Sequence, residues 1–495
     1  MFWLYGEPMV NQEPTRQDRS SRSQTATLIA ASLGFGVIQL DVTVVNVAVK
    51  QIGASFGGGV SELQWVISAY TLMFAALILT AGALSDRLGA RRVFAAGFVL
   101  FVSASIGCGL APSIALLIAA RAVQGAGAAL LASCSLALLN HTFHDPAEHA
   151  RAVGRWSAGA SAALSGGPVV GGVLIATLGW RSIFFINLPI GAVGLWLTRT
   201  YTRETPSSAE RGLDVGGQIA AVLGLSTFAA ALIEAGPLGL GNHWVLAGFA
   251  TSVLAAVAFL IVEARSINPM LPLSLFRQRA FLSPTLIGLL VNVCFYGLIF
   301  LFSLLLQDQQ KHSALTTGLA FLPMTAAIVG ANILSGRLAP RLGTARTVLA
   351  GVIAMLAGSA GLLPIGHPTA YAAIVTQQLL LGGGLGLLVP PMTGALLGSV
   401  ERSRSGVASG ALTTMRQTGS MLGVALFGSL VAQHNHFFTG LHTALEISIA
   451  ALLASAALTP LLAARRPRRD PHDTTQTLAS GQARPRAPSR AESSI

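Results

Sequence analysis

The chain has 495 residues, of which 53% are hydrophobic and only 10% are Asp, Glu, Lys or Arg, and its formal net charge is +12. Soluble domains carry about 25% charged residues, so this composition excludes an ordinary soluble enzyme, a disordered chain and a disulfide-built scaffold. It predicts a polytopic membrane protein, and the basic excess then has to be explained by where the charges lie.

Fourteen segments are apolar over about the 20 residues that a membrane-spanning helix requires. They are longer and more uniformly apolar than the alternating segments of about 10 residues that build β-barrels, so we predict an all-α membrane protein. In chain order the predicted spans are residues 26–49, 63–84, 93–111, 113–139, 153–178, 182–198, 215–236, 243–264, 281–306, 314–336, 347–366, 370–392, 406–432 and 441–464.

The basic residues lie almost entirely on one side of these spans. With the N-terminus inside, 26 of the 31 Lys and Arg residues fall in inner loops and tails, whereas Lys50, Arg181 and Lys311 fall outside. Cytoplasmic loops are enriched in Lys and Arg, so we predict that both termini are cytoplasmic. The net charge then indicates topology and not a nucleic-acid partner.

Similar sequences recur eight spans apart. Gly82 to Arg92 follows the second span and a degenerate copy, Ser335 to Arg346, follows the tenth. Two related halves around a site near the membrane midplane are typical of transporters. We therefore predict a cytoplasmic tail (1–24), an N-terminal six-helix half (25–200), two inserted spans with linkers (201–280), a C-terminal six-helix half (281–464) and a disordered basic tail (465–495).

Asp41 is the strongest candidate for a functional residue. It lies inside the first span, where an ionised carboxylate costs at least about 2.5–3.5 kcal/mol. Arg121 in the fourth span is the candidate partner, because both residues lie roughly 12 Å below the outer boundary at 1.5 Å per residue. Burial disfavours the charged carboxylate and a nearby arginine favours it, which suits a proton-coupling pair. A static ion pair between two helices is the alternative.

Other polar residues inside spans are candidates to line a substrate cavity. For most of them hydrogen bonding between helices is the alternative, but Arg416 stands out because it is charged and lies about ten residues into its span. The candidates are Asn46, Gln64, Tyr70, Gln124, Asn292, Gln377 and Arg416.

Two further segments are candidates for moving parts. The loop after the second span carries an acid among basic residues, which favours a gating contact over an ordinary basic loop; its candidates are Gly82, Asp86, Arg87, Gly89 and Arg92. The fifth span has a proline, which removes a helix hydrogen bond, among glycines. This pattern predicts a bendable helix or, alternatively, close packing alone; the candidates are Gly154, Gly167, Pro168, Gly171 and Gly172.

No pattern indicates an enzyme or a cofactor. Cys108, Cys134 and Cys294 lie far apart in apolar stretches, which is typical of packing, and the loop histidines lack a metal-binding spacing. The longest inner loop has about 16 residues, too few for a signalling domain. We therefore expect no metal and no cofactor.

Six motifs in order resemble those of the major facilitator superfamily, and within it the fourteen-helix drug:proton antiporter family 2, over residues 25–465. The matching segments are Leu40–Val49, Gln64–Tyr70, Gly82–Arg92, Arg121–Gly127, Gly154–Gly172 and Trp180–Gly191. The chain departs from the family at Lys50, where a proline is usual, and at Ala163, where a glycine is usual.

This resemblance implies the major facilitator fold and proton-coupled export of amphipathic drugs or other toxic small molecules from a bacterial cell, across its inner membrane. It also implies a role for Arg121 in proton coupling. Because Asp41 is the one clearly deep carboxylate, we expect a neutral or singly cationic substrate. The expected partners are that substrate, protons and membrane lipid, and the protein is expected to be a monomer. A dedicated exporter of one endogenous metabolite and, remotely, a non-transporting membrane sensor are the alternatives.

Overall fold

A computed structural model describes residues 16–205, 214–266, 269–366, 371–400, 405–433 and 437–463. All regular structure in these ranges is helical, which confirms the predicted fold class. The N-terminal half is α1 (Arg16–Phe56), α2 (Val60–Leu88), α3 (Ala90–Leu110), α4 (Ile114–Thr142), α5 (Pro146–Leu178), α6 (Ser182–Phe185) and α7 (Asn187–Tyr201).

The remaining helices comprise the inserted pair and the C-terminal half. They are α8 (Val215–Leu238), α9 (His243–Arg265), α10 (Arg279–Leu304), α11 (Ala314–Ala320), α12 (Leu322–Leu342), α13 (Thr344–Ala360), α14 (Tyr371–Gly398), α15 (Ser405–Gln433) and α16 (Phe437–Leu458). Short 3-10 turns at Leu273–Arg277 and Thr459–Ala463 flank this half, and a π-helical turn at Leu305–Gln309 extends α10.

Local sequence signals set several helix ends. Asp145 precedes α5 and its carboxylate accepts the backbone N–H groups of Ala147 and Glu148, which have no partner within the helix. Ser113 caps α4 in the same way. Between α2 and α3, Gly89 has a φ of +92°, a left-handed conformation that residues with a Cβ atom rarely adopt, so the chain turns there without a longer loop.

The helices agree with the predicted spans, with a few informative differences. By length and composition, twelve helical regions of the described chain are long and apolar enough to cross a membrane. The two other predicted spans correspond to α13, which has 17 residues, and to α15, whose hydropathy is lowered by Arg416, Gln417 and its small polar residues. Two spans are interrupted, the sixth at Ile186 and the tenth at Phe321.

The first helix is longer than its apolar run. It has 41 residues and begins at Arg16, so residues 16–24, predicted as a polar tail, are helical. A helix satisfies its backbone hydrogen bonds internally, and polar residues can therefore continue it beyond the apolar stretch. The predicted basic tail after residue 464 lies outside the described residues, as do residues 1–15 and the loop that holds Arg402 and Arg404.

The two halves meet along a surface that we call the seam. It is formed by α2 against α15, α5 against α11 and α12, and α1 against α10. The inserted helices α8 and α9 pack on each other, and α8 also contacts both α2 and α15. The inserted pair therefore lies against the seam.

Candidate functional site

A buried ion pair joins α1 and α4. Arg121 Nη1 donates a hydrogen bond to Asp41 Oδ2, and each of the two side chains is only 1% exposed. Two residues that the sequence places at equal depth therefore meet directly. Charge-assisted hydrogen bonds of this kind are about twice as strong as neutral ones.

The side chain of Gln124 forms a hydrogen bond with each member of this pair. Gln124 lies one helical turn after Arg121, so both side chains leave the same face of α4. Its Nε2 donates to Asp41 Oδ1 at 2.9 Å, while its Oε1 accepts from Arg121 Nη1 at 2.7 Å. Arg121 Nε donates to the carbonyl oxygen of Val66 on α2 at 3.1 Å. The pair thus links α1, α2 and α4.

Two residues that were not among the predicted candidates complete the network. Asn187 Nδ2 donates to Asp41 Oδ1 at 3.2 Å and to Ser105 Oγ at 2.9 Å. Ser105 Oγ also accepts from Gln124 Nε2 at 3.2 Å and donates to the carbonyl oxygen of Phe184 at 2.9 Å. Asn187 is the first residue of α7, immediately after the interruption at Ile186, and this break brings the sixth span to Asp41.

Aromatic rings cover the guanidinium group. The Arg121 Cζ atom lies 4.3 Å from the ring centroid of Tyr70 and 5.9 Å from that of Phe184. Such cation–π contacts contribute about 2 kcal/mol when they are desolvated. The Tyr70 side chain is fully buried and its hydroxyl has no hydrogen-bond partner. Arg121 therefore has two kinds of stabilising contact, and only one of them depends on an ionised Asp41.

The contacts of the network depend on the charge of Asp41. With Asp41 ionised, the carboxylate holds α1 against α4 and receives hydrogen bonds from three side chains. Removing the charge of one partner in a buried pair costs about 3–5 kcal/mol, because the other charge is left uncompensated. A proton on Asp41 therefore weakens the link between α1 and α4, and Arg121 keeps its contacts with Val66, Gln124 and the two rings.

The seam is closed where α1 meets the end of α10. Ser303 Oγ donates to the carbonyl oxygen of Asn46 at 2.5 Å, and Gln307 Nε2 donates to that of Val47 at 3.1 Å. Lys50 donates to the carbonyl oxygen of Gln307 and lies 3.5 Å from a carboxylate oxygen of the following residue. We call these contacts the Lys50 seal; its residues are Asn46, Val47, Lys50, Ser303, Gln307 and Asp308.

Gln64 closes the neighbouring part of the seam. It is fully buried, and its Nε2 donates to the carbonyl oxygens of Val424 at 2.9 Å and Ala425 at 2.7 Å on α15. Gly428 lies beside it, since a Cβ atom there would come within 2.4 Å of Gln64 Nε2. Two predicted cavity residues, Asn46 and Gln64, thus join the two halves in this conformation.

The glycines of α5 allow close helix packing. A Cβ atom on Gly167 would lie 1.9 Å from Thr43 Oγ1, and one on Gly171 would lie 3.1 Å from Val44 Cγ1, both on α1. Small residues at helix interfaces let backbones approach in this way. Gly154 differs, because nothing lies within 4 Å of a Cβ atom placed there.

The same helix also packs across the seam. A Cβ atom on Gly172 would lie 3.0 Å from the carbonyl oxygen of Ala314, and one on Gly318 would lie 2.2 Å from that of Pro168. The helix continues through Pro168 from Pro146 to Leu178. Close packing accounts for these glycines, while bending of α5 stays a prediction.

The loop between α2 and α3 docks on the segment after α7. Arg92 Nε lies 3.5 Å from Glu204 Oε2, and the backbone N–H of Arg91 donates to Glu204 Oε1 at 3.1 Å. A Cβ atom on Gly89 would come within 2.4 Å of that same oxygen. Glu204 was not among the predicted candidates. The other candidates of this loop are the exposed Asp86 and Arg87 and the open Gly82.

The C-terminal candidates are less connected. Asn292 Nδ2 donates to the carbonyl oxygen of Gly288 on its own helix at 2.7 Å. Gln377 lies against α13, where a Cβ atom on Gly361 would come within 2.4 Å of its Oε1. Arg416 packs its stem beside Gly288. In this structure, none of the three has a hydrogen bond to the Asp41 network.

No group of three or more His, Cys, Asp or Glu residues in the described ranges is arranged to hold a metal ion. The three cysteines are buried as free thiols.

Comparison with known proteins identifies the family. The Major Facilitator Superfamily model matches residues 31–424. The chain is 37% identical over 412 residues to multidrug resistance protein Stp of Mycobacterium tuberculosis, covering 83% of this chain and 76% of Stp. It is 37% identical over 401 residues to the methylenomycin A resistance protein of Streptomyces coelicolor, covering 81% and 84% of the two chains.

Solved structures show the same fold. The human organic anion transporter MFSD10 (TETRAN) superimposes with a TM-score of 0.62 at 16% identity, covering 89% of this chain and 99% of that one. The match of the family model to most of the chain, together with relatives above 30% identity, shows that this protein belongs to the Major Facilitator Superfamily.

Proposed function

We propose that the protein exports drugs or other toxic amphipathic molecules across the bacterial inner membrane in exchange for protons. The buried Asp41–Arg121 network is the observation that carries this proposal, because it places a protonatable group inside the apolar part of the bundle. Relatives named for multidrug resistance and for methylenomycin A resistance support the class of substrate.

The coupling step is the gain and loss of a proton at Asp41. In the ionised state Arg121, Gln124 and Asn187 hold the carboxylate and fix α1 against its neighbours. Protonation cancels the charge that Arg121 compensates, so the two helices are free to separate. No covalent intermediate is needed. The transported molecule only has to bind more tightly when Asp41 is ionised than when it is protonated.

The Lys50 seal lies close enough to respond to this step. Asn46 follows Asp41 by five residues on α1, or roughly 7.5 Å along the helix, and its carbonyl oxygen is bonded to Ser303 of the other half. A shift of α1 on protonation therefore also moves the carbonyl oxygen that Ser303 contacts at the seam. The placement of Lys50 outside by the positive-inside rule makes this seal the outer gate, and alternating access then requires it to open and close.

Transport into proteoliposomes with an imposed pH gradient tests the proposal. Asp41→Asn is expected to abolish gradient-driven transport, because the amide can neither take up nor release the proton that the exchange requires. Glu446→Gln, at an exposed carboxylate on α16, is the matched control and is expected to behave as wild type. Undiminished gradient-driven transport by Asp41→Asn would contradict the proposal.

A further inference from the structure

The buried charges of the two halves are not balanced alike. Arg121 and Arg416 are the two arginines that lie deep within predicted spans, and Arg121 is paired with Asp41. For Arg416, no carboxylate of the described chain lies within ion-pair distance. Its Nε atom is enclosed by protein and has no hydrogen-bond partner among the described residues.

The surroundings of Arg416 hold its stem and leave its head group available. A Cβ atom on Gly288 would lie 3.2 Å from Arg416 Cγ, 3.2 Å from Leu412 Cδ1 and 3.5 Å from Met392 Cε. The aliphatic part of Arg416 therefore packs in an apolar groove on α10. The residue as a whole is only partly buried, so part of its side chain is reachable by a bound molecule.

One tyrosine of α10, Tyr296, interacts electrostatically with Arg416. It is also within electrostatic range of Tyr70 on α2. Tyr70 in turn covers the guanidinium group of Arg121. Tyr296 thus has electrostatic interactions both with Arg416 and with the tyrosine that covers Arg121.

An arginine in this position requires a counter-charge. A cation at the centre of a membrane helix costs at least about 2.5–3.5 kcal/mol, and a guanidinium group offers five N–H donors in a planar fork that matches a carboxylate. Since no carboxylate of the described chain pairs with Arg416, a transported solute can supply this counter-charge. Small transporter substrates bind near the midplane between two halves.

We propose that Arg416 binds a carboxylate or similar oxyanion of the transported molecule, and that the protein therefore favours amphipathic acids. This inference rests on the proposed export function and narrows its substrate class. It reverses the neutral or cationic preference expected from the scarcity of carboxylates, because the unpaired deep group is a cation.

Calorimetric titration of purified protein in nanodiscs tests this with a matched pair of probes, naphthalene-2-carboxylate and naphthalene-2-carboxamide. Wild type is expected to bind the acid at least about tenfold more tightly than the amide, the difference that one charge-assisted hydrogen bond provides. Arg416→Gln is expected to remove this preference and leave amide binding unchanged. Arg416→Lys is expected to keep a reduced preference, because it retains the charge without the planar fork.

Two further variants separate the possible outcomes. Arg337→Gln removes an exposed arginine near the end of α12 and is expected to leave the preference intact, which excludes a general charge effect. Asp41→Asn is expected to keep the preference for the acid over the amide, even where its affinity for both probes falls, so a failure of proton coupling and a failure of acid recognition are distinguishable. Equal binding of acid and amide by wild type, no binding of the acid, or an unchanged preference in Arg416→Gln would overturn the proposal.

Discussion

Each half of the molecule has a buried serine and glutamine at corresponding positions, and the two pairs differ in their hydrogen bonds. In the N-terminal half, Ser105 and Gln124 are fully buried and bonded to each other and to the Asp41 network. In the C-terminal half, Ser359 and Gln378 follow them by 254 residues in both cases. They are equally buried, but within the part of the chain that the structure describes the Ser359 hydroxyl and both amide atoms of Gln378 lack hydrogen-bond partners.

The reason lies in the residues that surround each pair. At the positions 254 residues after Asp41 and Arg121 the chain has Phe295 and Val375. The C-terminal half thus has the serine and the glutamine but lacks the ion pair. Its deep charge, Arg416, is at a position that corresponds to neither Asp41 nor Arg121. With the roles proposed above, the comparison assigns proton coupling to the N-terminal half and substrate recognition to the C-terminal half.

The largest expected contrast is between the two deep arginines. Arg121→Ala leaves Asp41 buried without its counter-charge, so we expect a loss of about 3–5 kcal/mol in stability. Arg416→Ala breaks no ion pair or hydrogen bond of the described chain, and we expect a loss below about 1 kcal/mol. Thermal unfolding of both variants in the same detergent measures the difference. Equal destabilisation would show that Arg416 has a structural partner and would break the comparison.

A smaller contrast is expected between the two glutamines. Gln124→Leu leaves Asp41 and Arg121 each without one hydrogen bond, which costs about 1–3 kcal/mol. Gln378→Leu removes two buried polar atoms that have no partners and is expected to be neutral or stabilising by about 1 kcal/mol. Denaturation midpoints of the two variants check the sign. Destabilisation by Gln378→Leu would indicate that an ordered water satisfies this glutamine.

The smallest effect is expected at the inner loop. The Arg92 side chain is 78% exposed in its pair with Glu204, and exposed ion pairs contribute about 0–1 kcal/mol. Arg92→Gln should therefore change the unfolding temperature little, and less still at high salt. A measurable loss of transport with unchanged stability would instead support the predicted gating role of this loop.

The sequence predicts how deep the functional groups lie within their spans. It does not predict which neighbouring helix each side chain faces. Counting residues from the span ends placed Asp41 and Arg121 at one level, and the i, i+3 spacing placed Gln124 beside Arg121. Neither argument reveals Ser105, because a serine in an apolar helix gives no indication of the face it occupies. Asn187 donates a hydrogen bond to Asp41 because the sixth span is interrupted at Ile186. The apolar pattern of that span does not predict the interruption.

Contacts across the seam were also beyond prediction from the sequence. Asn46 and Gln64 were expected to line a cavity because they are polar residues inside spans. The Gln64 side chain instead bonds to the opposite half, as does the backbone carbonyl of Asn46, whose side chain bonds to its own helix. Which surface of a helix meets a partner depends on how the two halves dock, and this is a property of the whole assembly. Glu204 could not be predicted for the same reason, since its hydrogen bond depends on how the loop between α2 and α3 folds against it.

Proton release from purified protein tests the central claim most directly. Addition of a transported compound to weakly buffered protein should release protons if substrate and proton compete through the Asp41 network. We expect this release in wild type and in Glu446→Gln, and its loss in Asp41→Asn. Release of the same size by Asp41→Asn, with substrate binding intact, would contradict the assignment of Asp41 as the proton site.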